Sequence, residues 1–152
     1  HMGVTAENVA EKFQITRQEQ DKFALKSQDK ALMAVKNQRF KEEIIDFKIK
    51  SKKSEIIFNQ DEHPREGINL DALSRLKPVF KKDGTVTAGN ASGINDGAAA
   101  LVVMEKEKAK VMGIKPMCKI VSHVSVAHDP LYFTTAPYLG FAITFSYHYG
   151  IY

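Results

Sequence analysis

The chain has 152 residues, of which 43% are hydrophobic and 26% charged, and it carries a net charge of +4. That length admits one domain, or one domain and part of a second, and the apolar share excludes a globally disordered polymer. The charge suits a site for a phosphorylated ligand but is too small for a nucleic-acid surface, and the pairs Lys52-Lys53 and Lys81-Lys82 read as solvated turns.

In chain order, Thr5 reads as the cap of a first helix that reaches Phe13, with Val4 and Val9 as a hydrophobic staple. Thr16-Arg17-Gln18-Glu19 is a capping box and opens a second helix that runs to Asn37. Along it Phe23, Ser27, Ala31, Ala34 and Val35 recur at helical spacing and predict the buried face. Ile45, Phe47 and Ile49 alternate, Ser51 to Ser54 turns, and Ile56 and Phe58 alternate again. That pattern predicts a β-hairpin with one buried face. A polar loop, Asp61 to Gly67, follows. Asn69 then caps a short helix bearing Leu70, Leu73 and Leu76, which stops before Pro78.

Lys82-Asp83-Gly84 turns into a short strand, Thr85-Val86-Thr87. A loop of small and amide residues occupies Ala88 to Gly97. Small side chains let a ligand approach the backbone, and Asn90, Ser92 and Asn95 can hydrogen-bond an amide or a phosphate. Ala98 to Met104 reads as a central strand, apolar on both faces. Glu105 to Met112 reads as a helix closed by Gly113 and Pro116, and Met117 to Val126 as a further strand. Cys118, the single cysteine, excludes an intrachain disulfide and reads as a structural thiol within that strand. His63, His123 and His128 lack the spacing of metal ligands, so no metal is expected. Leu131 to Tyr152 contains no Lys, Arg, Asp or Glu and holds all five tyrosines. Pro137, Gly140 and His148 interrupt it too often for a membrane helix, and the N-terminus shows no signal peptide.

Lys77-Pro78-x-Phe80 and Asn90-Ala91-Ser92-Gly93, with the run into Ala100, closely resemble the thiolases. Those enzymes make or break the carbon–carbon bond of 3-ketoacyl-coenzyme A. His1-Met2-Gly3-Val4-Thr5-Ala6-Glu7-Asn8, Arg17 to Asp21, Ser27-Gln28, Asp61-Glu62-x-x-Arg65, Gly113 to Pro116 and Lys119 to Ser122 fall in the family order. The resemblance extends from Met2 to Pro130 and is greatest to the biosynthetic acetoacetyl-CoA type. It implies an α/β fold: part of a thiolase, with a helical and hairpin loop domain over 1–97. The last strand and helix of the N-terminal domain would follow over 98–113, and the start of the C-terminal domain over 114–130. Residues 131–152 form an atypical aromatic tail.

The resemblance also implies a site for coenzyme A or acyl-CoA. Met2 would face the pantetheine and acyl end, although His1-Met2 also reads as a remnant left by cloning. Gln28 and Arg65 would meet the adenosine-phosphate end, with Asp71 and Leu73 beside the adenine. Phe80 would pack on the pantetheine, and Ala88, Ala91, Ser92 and Gly93 would line its tunnel. Each of these residues also has a plain reading as surface, core or turn.

By the same resemblance, the nucleophilic cysteine precedes this segment, and the cysteine and histidine that move protons lie far downstream. Asn-Glu-Ala-Phe, Gly-His-Pro and Cys-x-Gly-Gly-Gly are all missing from the sequence. No catalytic residue is therefore expected here, and the chain alone is expected to be inactive. The change of character after Pro130 is that of translation past a frameshift or gene break. The two apolar strands are expected to seek the remaining thiolase segments or to self-associate through exposed edges. The expected partners are thus acyl-CoA and protein, not nucleic acid or membrane. The expected location is the cytoplasm, or the mitochondrion in a eukaryote.

Overall fold

The computed structural model describes residues 1–50 and 54–149. The chain divides into two compact units, His1–Gly93 and Ile94–Tyr152.

In the first unit, α1 spans Met2–Lys12. Its cap is His1, whose Nδ1 accepts from the Gly3 N–H at 3.1 Å. The expected cap, Thr5, instead lies buried inside the helix, with its N–H bonded to the His1 carbonyl at 3.2 Å. An upstream residue already satisfies the first orphan donors, so the helix begins a turn earlier. Helix α2 spans Arg17–Lys36 and has the expected capping box. Glu19 Oε2 accepts from the Thr16 N–H at 2.8 Å, and Thr16 Oγ1 accepts from the Glu19 N–H at 3.3 Å.

Both helices end in a left-handed glutamine, Gln14 and Gln38, each with φ 52°. In each case the chain folds back to cap the last turn: Ile15 N–H donates to Ala10 O at 2.9 Å, and Arg39 N–H to Ala34 O at 3.0 Å. That conformation costs a non-glycine residue roughly 1–2 kcal/mol, which the closing hydrogen bonds offset.

The face expected to be buried on α2 is largely open. Phe23 is 77% exposed and Val35 is exposed, while Ala31 and Ala34 are half-buried. The buried residue of this helix is Asp21, so α2 docks through a carboxylate rather than an apolar stripe. The hairpin is present: β1, Phe47–Lys50, pairs antiparallel with β2, Glu55–Phe58, in the register Phe47↔Phe58 and Ile49↔Ile56. Its expected buried face is exposed throughout, because among the described residues no helix packs across the ribbon. Of the expected turn, Ser51 to Lys53 lie outside the described residues.

Helix α3, Leu70–Ser74, is capped by Asn69, whose Oδ1 accepts from the Ala72 N–H at 2.9 Å. It packs on α2 and buries Leu73. The expected strand Thr85-Val86-Thr87 is reduced to one bridge, Pro78↔Thr87, beside the bond from Val79 N–H to Val86 O at 3.0 Å. Side chains, not a ladder, satisfy the rest of that segment.

In the second unit, α4 covers Lys106–Val111 and closes at Gly113, with φ 66°. A kinked 3₁₀ turn, Pro130–Thr135, leads into α5, Ala136–Tyr149. Asp129 caps the turn, accepting from the Leu131 N–H at 2.9 Å. Pro137 sits in the first turn of α5, where its missing N–H costs no helical hydrogen bond. Gly140 faces Val124 and Val126.

The two expected strands, Ala98 to Met104 and Met117 to Val126, are irregular. Leu101 and Val102 are 89% and 87% exposed. The sheet found among the described residues is the two-stranded β1–β2 ribbon, so neither run has a ladder partner. Cys118 is accordingly exposed rather than held within a strand. No helix of the described residues is long and apolar enough to cross a membrane.

Candidate functional site

Two buried carboxylates organise the segment before and within the small-residue loop. Glu7, on α1, receives the N–H groups of Thr85 at 2.9 Å and Val86 at 2.8 Å on Oε1. Its Oε2 accepts from the Thr85 hydroxyl at 3.1 Å. A side chain at Gly84 would collide with the same carboxylate, so glycine is required there by close approach. Asp21, on α2, pairs with Arg17 Nε at 2.8 Å and accepts from Asn90 Nδ2 at 3.0 Å. Arg17 also donates to the carbonyls of Leu73 and Leu76, which joins α2 to α3.

Asn90 uses its whole carboxamide internally. Its Oδ1 accepts from the Thr87 N–H at 2.8 Å, and its Nδ2 also donates to the Thr85 carbonyl at 3.0 Å. Asn90, a ligand donor by residue type, instead supports the loop itself. Thr87 is 0% exposed, and its carbonyl receives the N–H groups of Asn90 and Ala91 at 3.3 and 3.0 Å. A carbon added at Gly89 would lie 2.6 Å from a methyl of Leu73, so the turn packs directly on α3.

The eight sequence-derived contact residues fall into three groups. Phe80 is half-buried and lies over Gly3 with its ring 4.9 Å from that of His1, while Met2, between those two residues in sequence, is exposed. Gln28 and Arg65 meet through the backbone: Gln28 Oε1 accepts from the Arg65 N–H at 3.1 Å. Among the described residues the Arg65 guanidinium has no acidic partner. Ala88, Ser92 and Gly93 are exposed on the loop, with Ala91 half-buried. The Ser92 hydroxyl makes no hydrogen bond among the described residues. Among those residues, no hydrogen bond or ring contact joins one group directly to another; the supporting network does so.

Two grooves lie apart from these residues. One, of about 310 Å³, adjoins Glu7, Thr85 and the exposed ion pair Lys81–Glu11 at 2.8 Å. The hydrogen bond from Lys81 holds the Glu11 carboxyl below its ordinary pKa of 4.5, and the same bond raises that of Lys81. The other, of about 990 Å³, runs between the end of α2 and the hairpin, lined in part by Val35, Phe40, Ile44, Phe47 and Phe58. Among the described residues no three His, Cys, Asp or Glu side chains come together as a metal site.

Sequence reading missed Glu7, Asp21 and the internal role of Asn90. Arg17–Asp21 was open to detection as an i,i+4 pair of opposite charge. The bonds from Glu7 to Thr85 span 78 residues, and nothing local announces them.

The description "Thiolase, N-terminal domain" matches residues 1–107. An acetyl-CoA acetyltransferase of Syntrophomonas wolfei is 55% identical over 130 residues, which are 86% of this chain and 33% of that protein. The crystal structure of the Bacillus anthracis acetyl-CoA acetyltransferase superposes with a TM-score of 0.84 at 45% identity, covering 94% of this chain and 36% of that one. Human mitochondrial 3-ketoacyl-CoA thiolase gives a TM-score of 0.82 at 40% identity over 93% and 36% of the two chains. The chain thus spans about a third of the length of the relatives it matches, and its α/β fold is that of part of such proteins.

Proposed function

The chain belongs to the thiolase family, and on that premise we propose that it supplies the coenzyme A-holding part of an acyltransferase. The reaction is condensation or thiolytic cleavage of acetoacetyl-CoA or another 3-ketoacyl-CoA. The observation that carries this reading is the loop Ala88 to Gly93. Its backbone is pinned from behind through Asn90, while Ala88, Ser92 and Gly93 stay open to solvent. A ligand meeting such a loop finds it already ordered, which lowers the entropic cost of binding.

Ser92 accepts from a pantetheine amide N–H, and Ala88, Ala91 and Gly93 keep the wall low enough for the arm to lie along it. Phe80 packs on the arm and Met2 faces the acyl end. Arg65, with no acidic partner among the described residues, and Gln28 meet the adenosine-phosphate end, and Gln28 also holds the Arg65 backbone. No metal takes part. Residues 1–97 form the coenzyme-binding domain; 98–113 and 114–130 belong to the adjoining N- and C-terminal domains.

The 152-residue chain by itself catalyses nothing, since none of its residues matches the family's nucleophile or proton-transfer motifs. Its partners are acyl-CoA and either the remaining thiolase segments or further copies, met through the open apolar runs 98–104 and 117–126. Nucleic acid and membrane are not among them, and the cytoplasm, or the mitochondrion in a eukaryote, is its place. A second reading, a non-catalytic coenzyme A module or the defunct product of a split gene, is favoured by the charge-free tail after Pro130.

Calorimetric titration of coenzyme A into the purified chain tests the site. Saturable binding that disappears in the Arg65→Ala, Ser92→Ala double variant is expected. A folded chain that takes up no coenzyme A refutes the proposal and leaves the defunct product standing.

A further inference from the structure

We infer that α2 is a spacer that sets the distance between two ligand-contacting loops, with Asp21 and Gln28 as its two positioning residues. The inference rests on the coenzyme A reading above and goes beyond it by assigning a positioning role to Asp21, which is not among the contact residues, and to Gln28 in addition to its place at the adenosine-phosphate end. Asp21 holds the small-residue loop by accepting from Asn90 Nδ2 at 3.0 Å. Gln28 holds the other loop by accepting from the Arg65 N–H at 3.1 Å. The two residues stand seven apart on one continuous helix, two turns or roughly 10 Å along its axis. Both therefore project from nearly the same face, and helix geometry sets the separation of the two anchor points, to which the packing of Gly89 against Leu73 adds for the first loop.

The loops need such support. Ala88, Gly89, Ala91 and Gly93 offer no polar side-chain atom that could anchor the first loop from within. The second loop, Asp61 to Gly67, is mostly exposed and lies outside regular structure. Arg17 fixes Asp21 in turn, because its guanidinium spans the Asp21 carboxylate and the carbonyls of Leu73 in α3 and Leu76 just beyond it.

The polarity of the Asn90 contact makes the inference sharp. Its NH₂ group faces two acceptors, the Asp21 carboxylate and the Thr85 carbonyl, and its oxygen faces one donor. An aspartate of the same shape would set oxygen against both acceptors. Asn90→Asp should therefore release the loop more than Asn90→Ala, the reverse of what packing alone would give.

Amide hydrogen exchange on the unliganded chain, combined with coenzyme A titration, tests this. Asn90→Asp is expected to speed exchange at Thr87, Asn90 and Ala91 about tenfold or more and to leave Arg65 unchanged. Gln28→Ala is expected to do the converse. Coenzyme A affinity should fall about tenfold in each, and the double swap Asp21→Asn with Asn90→Asp should recover part of it. Exchange that rises evenly along α2, or in neither loop, overturns the inference, as does unchanged affinity despite released loops. If the unsubstituted chain binds no coenzyme A while each loop responds separately, α2 is a spacer and the functional reading is what fails.

Discussion

The unit Ile94–Tyr152 is richer in apolar residues than the unit His1–Gly93, yet it is the first unit that satisfies its backbone over long range. In the first, side chains reach far along the chain to bond the backbone, as Arg17 does to Leu73 across 56 residues and Glu7 does to Val86 across 79. In the second, Thr135 bonds Tyr132 and Thr144 bonds Gly140, both within about a helical turn, while two apolar runs lie open. Burial follows where polar backbone groups find partners; hydrophobic composition alone does not produce it.

The largest expected effect tests that contrast directly. Amides of Leu101 to Val103 and of Ile120 and Val121 should exchange at nearly the rate of an unstructured chain. Those of Val86 and Ala91 should be slower by roughly a hundredfold or more. Equal protection in a dilute sample would mean that the apolar runs find ladder partners, and a concentration dependence would identify those partners as other copies.

A pair of glycines gives the next effect. Gly84→Ala drives a carbon into the Glu7 carboxylate and displaces the acceptor of two backbone N–H groups. A loss of about 2 kcal/mol is expected in urea unfolding. Gly97→Ala, across the division, meets nothing within 4 Å and should change stability by less than about 0.5 kcal/mol. Similar losses at both positions would dissolve the distinction between the units.

Features written locally in the sequence were legible. The capping box at Thr16, the cap at Asn69 and the stop at Gly113 depend on residues within about one turn of one another, and the hairpin on residues no more than eleven apart. The resemblance carried the fold, because its motifs lie in order along the chain. The left-handed Gln14 and Gln38 were not legible, since glutamine does not mark that conformation as glycine does. The runs at 98–104 and 117–126 misled for a different reason. Their composition is that of central strands, but a strand also requires a partner, which composition does not report. At the candidate site the small-residue loop was visible and its support was not. Glu7 and Asp21 read as ordinary surface charges until the distant residues that they bond are known.

The smallest effect concerns the helix start itself, where a local device should act alike whatever the rest of the unit does. Thr16→Ala removes the hydroxyl that caps α2 and should cost about 1 kcal/mol. The acid dependence of that cap has a definite sign. The Thr16 backbone N–H, and then its hydroxyl, hold the Glu19 carboxyl below its ordinary value of 4.5. Between the two values the unfolded chain binds the proton that the folded chain does not. Stability from this bond is therefore complete above 4.5 and lost as the pH falls through the folded value. Glu19 is on the surface, so solvent and salt screen the contribution. Glu19→Gln keeps an oxygen to accept from the Thr16 N–H but carries no charge to lose. Its unfolding midpoint should vary less with pH below 4.5 than that of the unsubstituted chain, and the two curves should converge in strong acid. Parallel curves would mean that the cap contributes through its geometry alone, and that the acid sensitivity of the first unit resides in other carboxylates.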